Sequence, residues 1–383
     1  MRAIGRIQEA GQRAAAREPI AAHLRDDYAA WVKFKAKLQK EIGLQIAMDL
    51  SFLPQWGLSG GGSPSLQVFA TPSIDWALFK SSTWGAGSVQ LAYNAVPTYP
   101  TRQDAAMIQS NLGLVTAIND LSSKTFQFPQ LTYTHATPGN AVSIGIGQYP
   151  FYNFDGNQYL ANQQINFNSM IFAQNGASTY PLAGIGAFAQ WNVTSTMQFA
   201  AGFQGANNLS GQTLTTRTFG DDGYAWFAYA QWTPKFTGRG TAQYSMSWFS
   251  TPSLPAQASS RVWSINAVQN LDDDWAVFAR ANRAIGYATT IRGSWVLGAA
   301  RNNPLGRNAA DQIGFAIGMS EVAAPPSNPV DTRNETVSEL YWNWSLISGG
   351  LVLSPSAQWI WHPGLDPMRE SVWVLGLRAT LLF

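Results

Sequence analysis

The sequence predicts an all-β fold: a closed antiparallel transmembrane β-barrel of about 16 strands, or 18, that follows an N-terminal amphipathic α-helix. Three observations predict it. Charged residues make up only 12% of the 383 residues, about half the usual share in a soluble protein. Aromatic residues make up 13%, including 16 Trp. From residue 44 onward, apolar and polar residues alternate, as they do in strands with one face toward lipid and the other toward a lumen.

The first 43 residues differ from the rest and are predicted to be a helical segment. Residues 1–41 hold nine Lys/Arg and five Asp/Glu, which leaves 15 and 17 for the remainder of the chain. Apolar residues recur there at helical spacing, which predicts an amphipathic helix over residues 20–42 that ends at Gly43. They are Leu24, Tyr28, Trp31, Leu38 and Ile42. A periplasmic helix under or inside the barrel, a contact between barrels or with the cell wall, and a membrane-surface helix remain open.

Residues 44–383 are predicted to form the barrel, because about 21 residues per strand and connection give about 16 strands. Short polar breaks at 192–196 and 270–274 suit tight turns, whereas 95–110 and 322–333 are long and polar. This alternation is typical of short periplasmic turns and longer extracellular loops. Candidate strands include 184–192, 197–205, 223–233, 241–250, 261–270, 274–285, 311–320, 334–346, 349–361 and 372–383. Trp residues near strand ends suit aromatic girdles at the two membrane interfaces.

The final stretch, VWVLGLRATLLF, is predicted to close the barrel. At a period of two, Trp373 and Leu375 share an apolar face with Phe383, whereas Arg378 lies on the other face. The apolar face is therefore expected to contact lipid and Arg378 to point into the lumen. A terminal strand that ends in Phe383 also resembles the signal that bacterial outer-membrane proteins present to the barrel assembly machinery, which implies that machinery as a partner.

Composition restricts the location and the partners. Apolar runs of about 18 residues, as membrane-spanning helices require, do not occur. The chain has no Cys, which is compatible with the periplasm and the outer membrane. Residues 1–15 lack the apolar core of a secretory signal, so we expect either that the signal has already been removed or that the given start is not the natural one. We therefore expect the outer membrane of a Gram-negative bacterium, with contact to its lipid and lipopolysaccharide. A net charge of +2 without a basic patch predicts no nucleic-acid partner.

Six segments resemble, in order and spacing, the carbohydrate-selective outer-membrane porins of the OprB type. The resemblance implies a 16-stranded barrel that admits sugars by diffusion through a constricted lumen. Association of three barrels stays open. The segments are AGIGAFAQWNVTSTMQFAAGF (183–203), DDWAVFARANRAIG (273–286), GRNAADQIGFAIGMS (306–320), ETVSELYWNWSL (335–346), LVLSPSAQWIWHPG (351–364) and SVWVLGLRATLLF (371–383).

A stretch almost without charge indicates where the lumen is constricted. Between Lys124 and Arg217 the only formal charge is Asp155, while the same residues include ten Asn and eleven Gln. Residues 148–176 are too polar, aromatic and long for a strand pair, so we expect a loop that folds into the lumen, with a loop packed outside it as the alternative. Its rings are candidates to stack on sugars and its polar groups to bind hydroxyls: Tyr152, Asn153, Phe154, Asp155, Asn157, Gln158, Tyr159 and Asn162.

Charged residues of the C-terminal strands are the second set of candidates. A charge on the lipid face near the bilayer midplane costs roughly 2–4 kcal/mol, so these side chains are expected in the lumen. Guanidinium groups there are candidates to bind vicinal hydroxyls, or they pair with carboxylates without contacting solute. The candidates are Arg280, Arg283, Arg292, Arg378, Glu335, Glu339, Tyr341 and Asn343.

The sequence also bears on two classes of function other than a sugar channel. The three His residues, His23, His135 and His362, lie apart from any recognisable nucleophile or metal motif, so we predict no enzyme, cofactor or metal site. A barrel that exports a neutral polysaccharide or takes up another small solute, with the helix docked to a partner or the cell wall, would share the same architecture. A polyanion exporter is disfavoured, because it should line its lumen with excess basic charge.

Overall fold

The computed structural model shows a closed barrel of 16 antiparallel strands. The barrel closes where the first strand pairs with the last, for example Ser51 with Thr380 and Gln55 with Gly376. The strand count is therefore 16 and not 18. The structure describes residues 22–58, 60–97, 103–120, 126–178, 181–207, 214, 216, 219–221, 223–255, 258–286, 290–323 and 332–383.

The strands occupy most of the chain after Gly43. They are β1 Leu44–Gly57, β2 Ser65–Ser81, β3 Gly85–Ala95, β4 Phe126–Ala136, β5 Val142–Tyr149, β6 Gly184–Asn192, β7 Met197–Gly205, β8 Tyr224–Trp232, β9 Ala242–Thr251, β10 Ser260–Asn270, β11 Trp275–Gly286, β12 Ile291–Asn302, β13 Gln312–Val322, β14 Glu335–Ile347, β15 Leu351–Trp361 and β16 Ser371–Leu382. The α-helices are α1 Ala22–Ile42, α2 Ala105–Asn111 and α3 Met170–Ala173. Short 3-10 turns cover Pro138–Asn140 and Phe151–Phe154.

The ten strands located from periodicity are confirmed to within two residues at each end. Two of them, β6 and β7, have the predicted bounds of 184–192 and 197–205. Six strands, β1–β5 and β12, were absent from the predicted set, although Trp295 in β12 lies on the outer surface. Both predicted tight turns are present, since Val193–Thr196 joins β6 to β7 and Leu271–Asp274 joins β10 to β11.

Alternation along each strand separates the two sides of the wall. In β16, Trp373, Leu375 and Leu377 are about 40% exposed, whereas Val374 and Arg378 are 1% exposed. The exposed set lies outside and the buried set points into the barrel, as the sequence predicted for this strand. Because the outward residues are buried by lipid in a membrane, their exposure to solvent here marks the apolar belt.

The helix α1 lies at the end of the barrel that carries the short turns and the C-terminal residue Phe383. Gly43, at φ +71°, ends it, and a Cβ there would lie 2.4 Å from the carbonyl oxygen of Ala77. Tyr28 donates a hydrogen bond to the carbonyl of Gly349, in the β14–β15 turn. Burial, and secondarily the charge of Asp49, raise the pKa of Tyr28 to about 12. In the described part of the chain, no helix has the length and apolar character needed to span a membrane.

Candidate functional site

A long connection after β5 folds into the barrel. Residues 150–178 are largely buried and make hydrogen bonds with inward side chains of β10, β11, β14 and β16. We call residues 150–178 the inserted loop. It crosses from its own strand to the opposite wall, so it divides the lumen.

A carboxylate in β14 holds the far part of the inserted loop. The two oxygens of Glu339 accept hydrogen bonds from the main-chain N–H groups of Asn168 at 2.8 Å and Ser169 at 2.9 Å. Glu339 is fully buried, so its charge depends on these amides and on its neighbours rather than on water.

Two arginines hold the same loop by its carbonyl groups. Arg378 donates to the carbonyls of Asn166 at 2.9 Å and of Gln163. Arg280 in β11 donates to the carbonyls of Leu160 at 3.3 Å and Ile171 at 2.5 Å. Both guanidinium groups are at most 2% exposed. These two guanidinium groups hold the loop against the wall and are not exposed to a passing solute.

A second connection is inserted beside the first. We call residues 103–120, which include α2, the second insertion. Glu335 accepts from the main-chain N–H groups of Val115 at 2.9 Å and Thr116 at 2.8 Å, and from Gly364 at 2.9 Å. The two insertions meet where the Met170 N–H donates to the carbonyl of Ala117 at 3.0 Å.

Apolar packing fills the lumen between the insertions and the strands β10–β16. Tyr159 stacks on Phe278 with ring centroids 5.2 Å apart. Phe167 meets the ring of Tyr341 edge-on at 4.7 Å. Asn343 donates to the carbonyl of Ile165 at 2.5 Å. This side of the barrel is therefore occupied by a packed core.

The open space lies on the other side, between the inserted loop and the strands β3–β10. It is a cavity of about 680 Å³. Neutral polar side chains dominate its wall, and Asp155 is the only formally charged residue among those that line it. The barrel contributes Gln90, Gln130, Gln190, Gln198, Tyr229, Gln231, Thr233, Thr241, Ala242, Gln243, Val268 and Asn270. The inserted loop contributes Tyr152, Asn153, Phe154, Asp155, Gly156, Asn157, Gln158, Ala161 and Asn162.

Asp155 is fixed at the edge of this cavity. One carboxylate oxygen accepts from the Ser264 hydroxyl at 2.7 Å and from the Asn266 amide at 3.2 Å. The other oxygen accepts from the Asn175 amide at 2.8 Å. With these three donors, the carboxylate is held as the one negative group in an amide-rich wall.

Several residues from the sequence lie elsewhere than predicted. Arg283 is on the outer face, where it pairs with Glu321 at 2.8 Å, because it is three positions from the inward Arg280 and odd spacing reverses the face of a strand. Arg292 is exposed at a bulge in β12 and has no part in a ring with Arg280 and Arg378. Tyr159 is 1% exposed and packed on Phe278, so it is unavailable to stack on a sugar.

Two features of the lumen were missed from the sequence. Residues 103–120 fall partly in the predicted long connection 95–110, but nothing indicated that they enter the barrel. The wall glutamines recur on six strands, from Gln90 in β3 to Gln243 in β9, and the registers of those strands determine how the side chains are arranged around the cavity. Alternation alone identifies Gln190 and Gln198 as inward, opposite Trp191 and Phe199.

Comparison with known proteins identifies the family. A model described as "Carbohydrate-selective porin, OprB family" matches residues 101–383. The chain belongs to this OprB porin family. Porin AaxA of Chlamydia abortus is 34% identical over 354 residues, which cover 89% of this chain and 78% of that protein. Porin AaxA of Chlamydia pneumoniae is 33% identical, covering 90% and 80%.

Solved structures agree on the fold of this OprB-family chain. The high-pH structure of Pseudomonas putida OprB has a TM-score of 0.74 at 15% identity and covers 92% of this chain and 97% of that one. Salmonella typhi OmpF gives 0.58 at 8% identity, covering 89% and 97%. The chain is thus a porin of the Gram-negative outer membrane, and its family is one of channels rather than enzymes.

Proposed function

We propose that this porin lets small neutral sugars diffuse through a constriction between the inserted loop and the strands β3–β10. One observation carries the proposal: the cavity of about 680 Å³ is lined by amides and rings, without Lys or Arg among its lining residues. Amides both donate and accept hydrogen bonds, so they can replace water around hydroxyl groups, and Asp155 is the only formal charge among the residues beside them.

Aromatic rings on the cavity wall support the same solute class. Tyr152 and Phe154 belong to the inserted loop and Tyr229 to β8. Phe154 is 8% exposed and stacked on Phe227, so Tyr152 and Tyr229 are the rings that we expect to contact the apolar face of a sugar. The braced inserted loop sets the width of the passage, because its far side is held by Glu339, Arg280 and Arg378.

Single-channel current in a planar bilayer tests the proposal. Mono-, di- and oligosaccharides added to the bath should reduce the current saturably. Tyr152→Ala should weaken this block about tenfold, the effect of losing one good aromatic contact. Tyr224→Ala is the matched control, because Tyr224 is 37% exposed on the outer wall. A current that sugars never reduce would contradict the proposal.

A second candidate is export of a neutral polysaccharide or uptake of another small solute, with α1 docked to a partner or the cell wall. The position of α1 at the turn end of the barrel, fixed by Tyr28, favours it. Deletion of residues 1–43 separates the two: an unchanged sugar block supports the diffusion channel, and a current that appears only after the deletion supports a gated system.

The other predicted partners are part of this proposal. Phe383 exchanges two main-chain hydrogen bonds with Met48, at 2.9 and 3.1 Å, which supports the use of β16 by the barrel assembly machinery during closure of the barrel. A homo-trimer is testable by the mass of the native protein in detergent.

A further inference from the structure

Arginines lie together on the outside of the barrel, apart from the lumen. Arg261 in β10, Arg283 in β11 and Arg292 in β12 are exposed residues of three adjacent strands. We call these residues the outer arginine patch. Arg283 is paired with Glu321, whereas the ion pairs of the described residues involve neither Arg261 nor Arg292. The patch together with Glu321 has a net charge of +2.

The strand registers place this patch level with aromatic residues. Trp248 pairs with Trp263, Trp263 with Arg283, Arg283 with Gly293, and Gly293 with Glu321. These residues form one row around the outside of the wall. Because Trp residues concentrate at the membrane interface, the row lies at headgroup depth, where an arginine costs only about 0–1 kcal/mol on the lipid face.

The end of the barrel at which the row lies identifies the leaflet. Arg261 pairs with Ile285, two residues beyond Arg283 toward the end with the long connections. Long connections are extracellular in outer-membrane barrels, so the row faces the outer leaflet. The neighbouring connections, residues 252–259 and 287–290, contain no charged residue, so they bring no carboxylate to the arginines.

The arginine side chains are close enough to contact the same ligand. Arg261 and Arg283 are diagonal neighbours, for which Cβ atoms lie about 7–8 Å apart, within the span of long side chains. Arg292 follows Ile291, which is 5% exposed and packs near Gly176 inside the barrel. The bulge between Ile291 and Gly293 reverses the alternation there and leaves Arg292 exposed beside the outward row.

We propose that the outer arginine patch binds the phosphorylated headgroup of an outer-leaflet glycolipid. Guanidinium groups match phosphate oxygens with two parallel hydrogen bonds. The adjacent Trp248 and Trp263 offer flat apolar surface to the first carbons of the acyl chains. Glu321 orients Arg283 and leaves excess positive charge for the phosphate.

Native mass spectrometry of the full chain in detergent tests the site, with bisphosphoryl lipid A as the probe. We expect bound lipid A on the unaltered protein. Arg261→Gln alone should weaken binding about tenfold, the loss of one charge-assisted hydrogen bond, and Arg261→Gln with Arg283→Gln and Arg292→Gln should abolish it. The control is Arg301→Gln, which removes an outward arginine near the opposite end, stacked on Trp275.

Three results would overturn the proposal: equal binding of lipid A from which the phosphates are removed, displacement by inorganic phosphate at the concentration of the lipid, or equal loss in Arg301→Gln. Each variant is first checked for a heat-stable barrel by gel mobility. Since the patch is outside the lumen, single-channel conductance should remain unchanged, so failure of this inference is independent of the proposed sugar passage.

Discussion

The guanidinium of Arg378, in the last strand, donates to the side-chain oxygen of Asn168 at 2.7 Å. The two residues are 210 positions apart. Arg378 belongs to the wall of the barrel, and Asn168 belongs to the inserted loop. An arginine inside an apolar terminal strand is thereby explained: it faces inward and binds loop oxygens that would otherwise be buried without a donor. The strand that closes the barrel therefore also helps to hold the inserted loop.

We expect Arg378→Gln to widen the channel and destabilise the protein. The shorter amide leaves loop carbonyls and the Glu339 carboxylate without their cation, and removal of one partner of a buried charged group costs about 3–5 kcal/mol. Single-channel conductance should rise and the unfolding midpoint in guanidinium should fall. Arg301→Gln, an outward arginine, should change neither. A conductance equal to that of the unaltered protein would show that the loop is held without Arg378.

Glu335→Gln should loosen the second insertion and leave the inserted loop in place. The amide retains one acceptor oxygen but turns an NH₂ group toward main-chain N–H donors, and an unmet buried donor costs about 1–3 kcal/mol. Hydrogen exchange should accelerate at Val115, Thr116 and Gly364 and stay unchanged at Asn168. Glu339→Gln is the reciprocal control, with faster exchange at Asn168 and Ser169. Equal acceleration at both places in either variant would mean that the insertions move as one unit.

Local pattern predicted the wall of the barrel and its inward faces, but not what those faces bind. Alternation placed Arg280, Arg378 and Glu339 inward because strand period is a property of neighbouring residues. Their partners lie 106 to 215 positions away, and no local pattern encodes such a contact. The same rule corrects the predicted inward position of Arg283, because its odd separation from the inward Arg280 is visible in the sequence. The packed half of the lumen could not be predicted from the sequence, because apolar inward residues such as Phe278 resemble those of any buried strand.

Asp155→Asn should reduce the preference of the channel for cations. Asp155 is the only charged residue lining the cavity, so its carboxylate sets the sign of the local field. The reversal potential in a KCl gradient should shift toward zero in the variant, while the asparagine oxygen still accepts from Ser264. Asp273→Asn, in the exposed β10–β11 turn, is the control. Asp311→Asn is unsuitable, since Asp311 pairs with Arg307. An unchanged reversal potential would place the conducting path elsewhere.

Docking of α1 should weaken between about pH 10 and 12, because the hydroxyl of Tyr28 donates to Gly349 only while it is protonated. The pKa of Tyr28 is raised to about 12 in the docked helix, above the usual value of about 10. Stabilisation of docking is therefore complete below pH 10 and is lost as the pH rises through 12. Burial lowers the pKa of Lys35, so that group deprotonates before Tyr28 and favours docking as it does so.

A cysteine reports this release, since the chain has no Cys of its own. Val32→Cys places a thiol on the half-buried face of α1. Above pH 10 most thiols are ionised, since their ordinary pKa is about 8.5, so most of the change in the rate of alkylation follows exposure. It should rise at least about tenfold from pH 10 to 12. The same cysteine with Tyr28→Phe should show no step. A step of equal size in that control would assign the release to another group.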